Sequence, residues 1–334
     1  MATNMSDVVV SSRVRLARNI AGLPFPRRMK YNDERIYKEL LPSIENAIGN
    51  SFKYKHYVMA TTSDIEKEAL MEKHLISRDL IRNSALGRAI ISDDNTMSIM
   101  INEEDHIRAQ CLLPGFNLEE AYKRIDAFDD ALSKNIAIAF DEKLGYLTSC
   151  PTNLGTGMRA SAMMFLPALT LLGSVDTFSS TASKLGLTIR GVYGEGSDAD
   201  GYLYQVSNEV SLGITEKDIL RRVDTFVRRI AENELAARDI LIKREGTHII
   251  DKICRAYGIL TNAYMIDHDE CMSLLSLLKL GVGAHIIKDI EMSKLNDITS
   301  NIGVGAICLE AGKALGAEER DIERAKIVKN ALKN

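Results

Sequence analysis

The chain has 334 residues, 46% of them hydrophobic and 26% charged, with a formal net charge of -4. That length serves one large or two ordinary domains, and the apolar and charged fractions exclude wholesale disorder. The mild acidity argues against a protein built to coat nucleic acid or an anionic membrane, and no apolar run approaches the roughly 18 residues of a membrane-spanning helix.

Residues 1–7 carry no cationic patch followed by an apolar core, so no signal peptide is expected and the placement expected is cytoplasmic. Cys111, Cys150, Cys254, Cys271 and Cys308 are scattered and form no Cys-x-x-Cys pair. Free thiols follow for a reducing compartment, with all but Cys150 expected to be small buried apolar groups.

In chain order, Ser11-Ser12-Arg13-Val14-Arg15 reads as an extended segment that puts Arg13 and Arg15 on the same side. Ser63 with Glu66 forms a capping-box pattern opening a helix that runs to about His74. Residues 89–93 and 96–102 are β-rich runs around Asp94-Asn95 and read as a hairpin, with residues 107–112 as a third strand. Asn117 caps a helix in which Ala121, Tyr122, Ile125, Phe128 and Leu132 recur at helical spacing. Residues 187–192 and 202–206 read as further strands, and Thr215 with Asp218 opens a long helix. Beyond residue 240 the pattern is helical at 247–257, 267–280 and 318–332. The expectation is an α+β fold, an antiparallel sheet flanked by helices over residues 8–240, followed by an all-α domain over 241–334. Gly-Val-Gly-Ala occurs at Gly281–Ala284 and again at Gly303–Ala306, which suggests a repeated helix-hairpin unit.

The common nucleotide motifs are missing: no GxxxxGK[ST] loop, no strand–GxGxxG–helix and no HRD/DFG pair. Arginines take their place. Arg13, Arg15, Arg108, Arg159 and Arg190 all fall in short strand or loop contexts. Guanidinium forks pair bidentately with phosphate oxygens, so such a set could grip a polyphosphate; singly, each reads equally well as a surface salt-bridge partner. Cys150 lies in Gly145-Tyr-Leu-Thr-Ser-Cys-Pro-Thr-Asn-Leu-Gly-Thr-Gly-Met-Arg159, among hydroxyls and turn residues, a setting that suits a thiolate. Arg320 and Arg324 stand four apart on a helix with Asp321 beside them, a pattern that a solvated, ion-paired helix face also produces.

SSRVR, NEEDHIR, CPTNLGTGMRA and RGVYGE together, in that order, resemble the ATP:guanidino phosphotransferases, the family of creatine and arginine kinases. The resemblance covers about residues 8–240. Within the family the chain is most similar to the bacterial branch that phosphorylates arginine side chains in proteins. SSRVR begins at residue 11, so no counterpart of the helical domain preceding the catalytic domain in creatine-type kinases is expected. A helical C-terminal segment is present, and Arg320-Asp321-Ile322-Glu323-Arg324-Ala325 is similar to that branch's RDxxRA element.

The resemblance implies roles. Glu104 would be the general base, and Glu195 would hold the other guanidinium nitrogen of the acceptor. Glu103 and Asp105 would stand behind them. Cys150 as thiolate would polarise the guanidinium, with Thr152 donating to it and Asn153 orienting neighbours. ATP contacts would come from Ser11, Ser12, Arg13, Val14, Arg15, His74, Arg108, Arg159, Ala160, Ser161, Ala162, Met163, Arg190, Gly191, Val192, Tyr193, Gly194 and Glu195. His74 reads equally as a histidine capping its helix end. Met163 departs from the histidine that several free-guanidine kinases carry there. Arg320, Asp321, Arg324 and Ala325 would bind phosphoarginine as an allosteric site. Mg²⁺ would be held by the ATP phosphates and water, with no dedicated protein ligands. The implied partners are arginine-bearing proteins, a small zinc-binding activator and an unfoldase–protease in a stress response, and the apolar helical domain suggests a homodimer. A kinase of free L-arginine and a catalytically silent phosphoarginine-binding regulator are the competing readings.

Overall fold

The computed structural model describes residues 5–29, 35–191 and 200–333. The strands are β1 (Val9–Arg18), β2 (Tyr54–Val58), β3 (Arg88–Ser92), β4 (Met97–Ile101), β5 (Ile107–Pro114), β6 (Phe140–Asp141), β7 (Gly145–Tyr146), β8 (Met158–Phe165), β9 (Leu187–Gly191) and β10 (Leu203–Asn208). Eight of them form one antiparallel sheet in the order β2-β3-β4-β5-β1-β8-β10-β9, and β6 and β7 pair separately. The helices are α1 (Arg35–Ile48), α2 (Asp64–Glu72), α3 (Arg78–Arg82), α4 (Leu118–Ser133), α5 (Pro167–Leu171), α6 (Val175–Lys184), α7 (Glu216–Glu245), α8 (Thr247–Asn262), α9 (His268–Gly283), α10 (Met292–Ser300), α11 (Val304–Ala311) and α12 (Ala317–Lys333). No helix among the described residues is long and apolar enough to cross a membrane.

Local signals account for several boundaries. At α2, Ser63 Oγ accepts from Glu66 N at 3.2 Å and the Glu66 carboxylate accepts from Ser63 N at 3.3 Å, so both sides of the capping box form. The Thr215 and Asp267 side chains cap α7 and α9 by accepting from Asp218 N and Glu270 N. Asn117 differs from expectation: its side chain makes no cap bond to α4. The turn is held instead by buried Ser12 of β1, whose Oγ donates to Gly115 O and accepts from Asn117 N, both at 2.9 Å.

Strand alternation gives the sheet two unlike faces. One carries Val14, Leu16, Ile107, Ala109, Met158, Ala160 and Val206 into a core with Ile125 and Phe128 of α4 and Val223 and Phe226 of α7. Among the described residues, the other is covered at two places. Leu70, Leu75 and Leu80 pack on Ala89, Ile91 and Met100 over β3 and β4. At the opposite ends of β1, β8 and β10, the C-terminal helices bring Leu260, Leu275 and Ile298 onto Phe165 and Leu203, with Val10 and Met163 beside them. Between these covers lies the polar stretch that holds the arginines.

The boundary expected at residue 240 falls inside α7, a 30-residue helix that ends at Gly246 with φ 51°. Ala237 and Leu241 of α7, Ile249 and Ile253 of α8 and Leu280 of α9 belong to the same apolar cluster as the sheet, so the two parts share a core across this helix. The two Gly-Val-Gly-Ala segments are not copies of one unit. Gly281 and Gly283 close the C-terminal turn of α9, whereas Gly303 is the N-cap of α11. Of the cysteines expected to be buried, Cys111, Cys271 and Cys308 are; Cys254 is exposed on α8, because helical spacing turns it away from Ile249, Ile253 and Leu260.

Candidate active site

The sheet order brings together arginines far apart in the chain. β1 lies between β5 and β8, with Arg15 opposite Gln110 on one side and Arg159 on the other, and Arg13 opposite Leu112 and Ser161. Arg108 follows two residues before Gln110 on the same face. Burial, with Arg108 and Arg159 nearby, lowers the Arg13 guanidinium to about 10. Arg15 is held well below the usual arginine value by burial and by Arg13, Arg108 and Arg159, and its buried Nε has no hydrogen-bond partner. Among the described residues, neither Arg13 nor Arg15 forms an ion pair. Arg159 donates through Nη2 to Ser207 Oγ at 2.9 Å and is lowered by burial, then by Arg190 and Arg108. Arg190, exposed on β9 opposite Gln205, extends the set toward the sheet edge. Four to five cations facing one another, with an orphaned N–H among them, form a receptacle for a polyanion.

The three acidic residues after β4 take three different settings. Glu103 is buried and accepts from Arg108 Nη1 and Ser77 Oγ. Burial alone would raise its carboxyl, but the Arg108 charge and these hydrogen bonds outweigh that and hold it low. Asp105, also buried, accepts from Asn19 Nδ2 at 2.6 Å and from Ser149 N at 2.7 Å. Glu104 stays accessible, and burial together with the Asp105 and Glu103 charges raises its carboxyl above the usual value. A carboxylate with raised proton affinity at the rim of a cation cluster suits proton abstraction.

The Cys150 segment is fastened to this acidic turn. Ser149 donates through N to Asp105 and through Oγ to Glu104 O at 2.7 Å, which ties the residue before Cys150 to the acidic turn. Cys150 Sγ lies 3.0 Å from Thr152 Oγ1 at the start of the single turn Pro151–Asn153. Asn153 N donates to Cys150 O at 3.0 Å and tightens that turn. The loop closes through Gly155 at φ +107°, where a Cβ would meet Ser211 O at 2.3 Å, so a side chain has no room.

The remaining expected nucleotide contacts divide by face. Ser11, Ser161 and Met163 share the arginine face, Met163 against the C-terminal helices. Ser12, Val14, Ala160 and Ala162 turn the other way, into the cap of α4 and the core, so their side chains do not line the arginine face; alternation along the strands is the reason. His74 follows the end of α2 at φ 57°, and its imidazole is lowered to about 4 by burial and by the Arg13 and Arg15 charges. It therefore belongs to the arginine cluster. Gly191 ends β9, while Val192, Tyr193, Gly194 and Glu195 lie outside the described residues.

The C-terminal arginine pair also divides. Arg324 is 1% exposed and donates to Ile302 O (3.0 Å), Ile266 O (2.9 Å) and Asp321 Oδ1 (2.5 Å), and Ala325 is buried beside it. Of the residues that the resemblance implies for phosphoarginine, Arg320 and Asp321 are partly exposed, whereas Arg324 turns inward to satisfy loop carbonyls. Arg320 Nη1 donates to Leu315 O at 2.8 Å.

Three site features have no signal in local sequence. A cavity of about 340 Å³ adjoins Glu103 and Glu104, lined further by Pro26, Arg27, Met29, Asp79, Arg82, Asn83 and Leu86. The exposed Arg27 guanidinium reaches to 3.8 Å from Glu104. Ser207 and Gln205 complete the arginine face from β10, whose place beside β8 no short-range pattern announces.

Residues 35–237 match the family model of the ATP:guanido phosphotransferase C-terminal catalytic domain, and residues 246–334 match that of the protein-arginine kinase McsB C-terminal domain. The chain is 43% identical over 330 residues to a protein-arginine kinase of Clostridium tetani, covering 98% of this chain and 96% of that protein. It is 42% identical over 330 residues to one of Caldanaerobacter subterraneus subsp. tengcongensis, covering 98% and 97%. Among solved structures it is similar to a lombricine kinase, with a TM-score of 0.58 and 26% identity over 69% of this chain and 67% of that one.

Proposed function

We infer that this chain, which belongs to the ATP:guanido phosphotransferase family, is a protein-arginine kinase that transfers the γ-phosphate of ATP to arginine side chains of proteins. The observation that carries the mechanism is the facing set Arg13, Arg15, Arg108 and Arg159, with the raised Glu104 carboxyl at its rim.

The reading assigns the phosphates of ATP to Arg13, Arg15, Arg108, Arg159 and Arg190. Each guanidinium relieves the repulsion of its neighbours by pairing with phosphate oxygens, and together they stabilise the charge spread over the phosphoryl group in flight. Arg15 Nε, buried without a partner, supports this assignment. His74, neutral near pH 7, borders the same space and adds no further charge. Mg²⁺ fits this donor set as a passenger on the phosphates, where it would neutralise charge; among the described residues no group of three or more His, Cys, Asp and Glu side chains could cage it.

A guanidinium stays protonated to about pH 12 and above, so it attacks phosphorus only as a proton leaves it. Glu104 takes that proton as the guanidino nitrogen forms its bond to the γ-phosphorus and the bond to the ADP oxygen breaks. The transfer is direct and in line, without a phosphoenzyme. Glu103 holds Arg108 in place, and Asp105 holds the Ser149–Cys150 segment. Cys150 as thiolate, with Thr152 donating, would lie against the acceptor guanidinium, and Glu195 would hold its other nitrogen. The cavity beside Glu104 has room for an arginine side chain reaching in from a protein surface. Arg320 and Asp321 offer the accessible groups for phosphoarginine, with Arg324 shaping the turn beneath them. The same reading takes in a cytoplasmic stress-response role, an activator and unfoldase–protease partners, and a homodimer that light scattering would detect.

The test is mass spectrometry after incubation with Mg-ATP, offering an arginine-bearing protein and free L-arginine in parallel. Acid-labile phosphate on protein arginines, lost in Glu104→Gln, is the expected result. Phosphorylated free arginine with untouched protein would overturn the protein-kinase reading.

A further inference from the structure

The last turn of α2 breaks a local rule. Glu72 sets a carboxylate at the end of a helix, where the peptide dipoles already concentrate negative charge. Its partner lies at the far end of the chain. One carboxylate oxygen accepts from Gly305 N at 2.8 Å and the other from Ala306 N at 2.9 Å. These are otherwise unpaired N–H groups of the first turn of α11, at that helix's positive end. Glycine permits the approach: a Cβ on Gly305 would lie 2.3 Å from Ala69 N, on α2 itself. Ile65 of α2 packs beside Ile307 and Cys308 of α11.

The other end of this connection is the arginine face. Directly after Glu72, the chain turns through His74 at φ 57°, with His74 N donating to Met71 O at 2.9 Å and His74 O accepting from Gln110 Nε2 at 2.6 Å. Gln110 pairs with Arg15 across β5 and β1. The lead-in to α11 is held in turn by α12, through Arg324 Nε and Ile302 O at 3.0 Å.

We propose that Glu72 is a positioning residue for the nucleotide: by clasping the N-terminus of α11 it fixes the end of α2, and with it His74, against Arg13 and Arg15. The C-terminal helices thereby set the shape of the phosphate-binding face.

The proposal rests on that face being the ATP site, so the experiment begins with ATP binding. Calorimetric titration with Mg-ATP would compare full-length wild type, Glu72→Ala, Glu72→Gln and Gly305→Val. The Kd for ATP rises about tenfold in Glu72→Ala and Gly305→Val, and less in Glu72→Gln, whose single carbonyl oxygen still accepts one N–H. The KM for ATP follows the Kd while the KM for the protein substrate stays constant, a split that a general loss of stability would not produce. Urea unfolding identifies the folded variants; if Glu72→Ala does not fold, Gly305→Val and Glu72→Gln decide. Folded variants that bind ATP within about twofold of wild type, or lose affinity for both substrates alike, overturn the proposal alone. Wild type that binds no ATP would overturn the functional reading, and this one with it.

Discussion

Arg15 and Arg18 stand three residues apart on β1, and their odd separation sends them to opposite faces of the sheet. Arg18 is 1% exposed and fully engaged: Asp129 accepts from its Nε and Nη2 at 2.7–3.1 Å, Ala17 O and Thr156 O accept from Nη1, and its guanidinium lies 3.6 Å from the Tyr146 ring centre. Arg15 has like charges for neighbours and a buried Nε with no partner. Arg18 is a strut between β1, α4 and the Thr156 loop; Arg324 plays the same part among the C-terminal helices. Arg15 belongs to a group of like charges whose repulsion the rest of the fold must offset. The same side chain is thus a structural tie where its N–H groups are answered, as at Arg18, and a charged group with an unanswered N–H at Arg15.

The contrast breaks most visibly if the strut is weakened. Asp129→Ala leaves the Arg18 charge buried and is expected to cost about 3–5 kcal/mol in urea unfolding. A loss below about 1 kcal/mol would place Arg18 with the surface pairs, whose contribution is that small. The converse is Arg15→Gln. Here kcat/KM falls by about 10²–10³, equivalent to about 2.7–4 kcal/mol of barrier, while the urea midpoint stays level or rises. Activity and stability falling together would remove the distinction between the two arginines.

A smaller effect concerns acid stability. As pH falls below 6.5 the unfolded chain protonates His74, whereas the native imidazole, held down by burial and by Arg13 and Arg15, stays neutral until about 4. The unfolded state binds more protons in that window, so native stability declines as pH drops through it. His74→Gln should flatten the stability curve between 6.5 and 4, and an unchanged slope would separate His74 from the arginine cluster. The smallest effect is expected at the cavity rim. Arg27 opposes the rise in the Glu104 carboxyl, so Arg27→Ala should move the acid limb of the kcat/KM profile to higher pH. Arg27 is 79% exposed, so the displacement should be a fraction of a unit. A move to lower pH would contradict Glu104 as the titrating base.

Much of this was legible in the residues themselves. The capping pairs at Ser63 and Thr215, the hairpin around Asp94-Asn95 and the common side of Arg13 and Arg15 depend on neighbours a few positions away, and they appear in the fold as read. The motif set also pointed to the family. Other features were illegible for a physical reason: their partners are remote. Asn117 keeps the N-cap position of α4 without a side-chain cap bond, and its own N–H is answered by Ser12, more than a hundred residues earlier. The spacing of Arg320 and Arg324 read as a solvated, ion-paired helix face, yet Arg324 is buried and donates to the carbonyls of Ile266 and Ile302.

By itself, then, the sequence determined where chains of local hydrogen bonds start and stop, and which residue types were available for phosphate and guanidinium chemistry. Only the tertiary structure decided which of them meet. Seating β1 between β5 and β8 put Arg108 and Arg159 beside Arg13 and Arg15, and among the described residues neither Arg13 nor Arg15 forms an ion pair. It also answered Glu72 with two N–H groups more than two hundred residues away. Periodicity and caps are settled within a turn or a pleat, but burial and the pairing of charges are settled by whatever the whole chain packs against them.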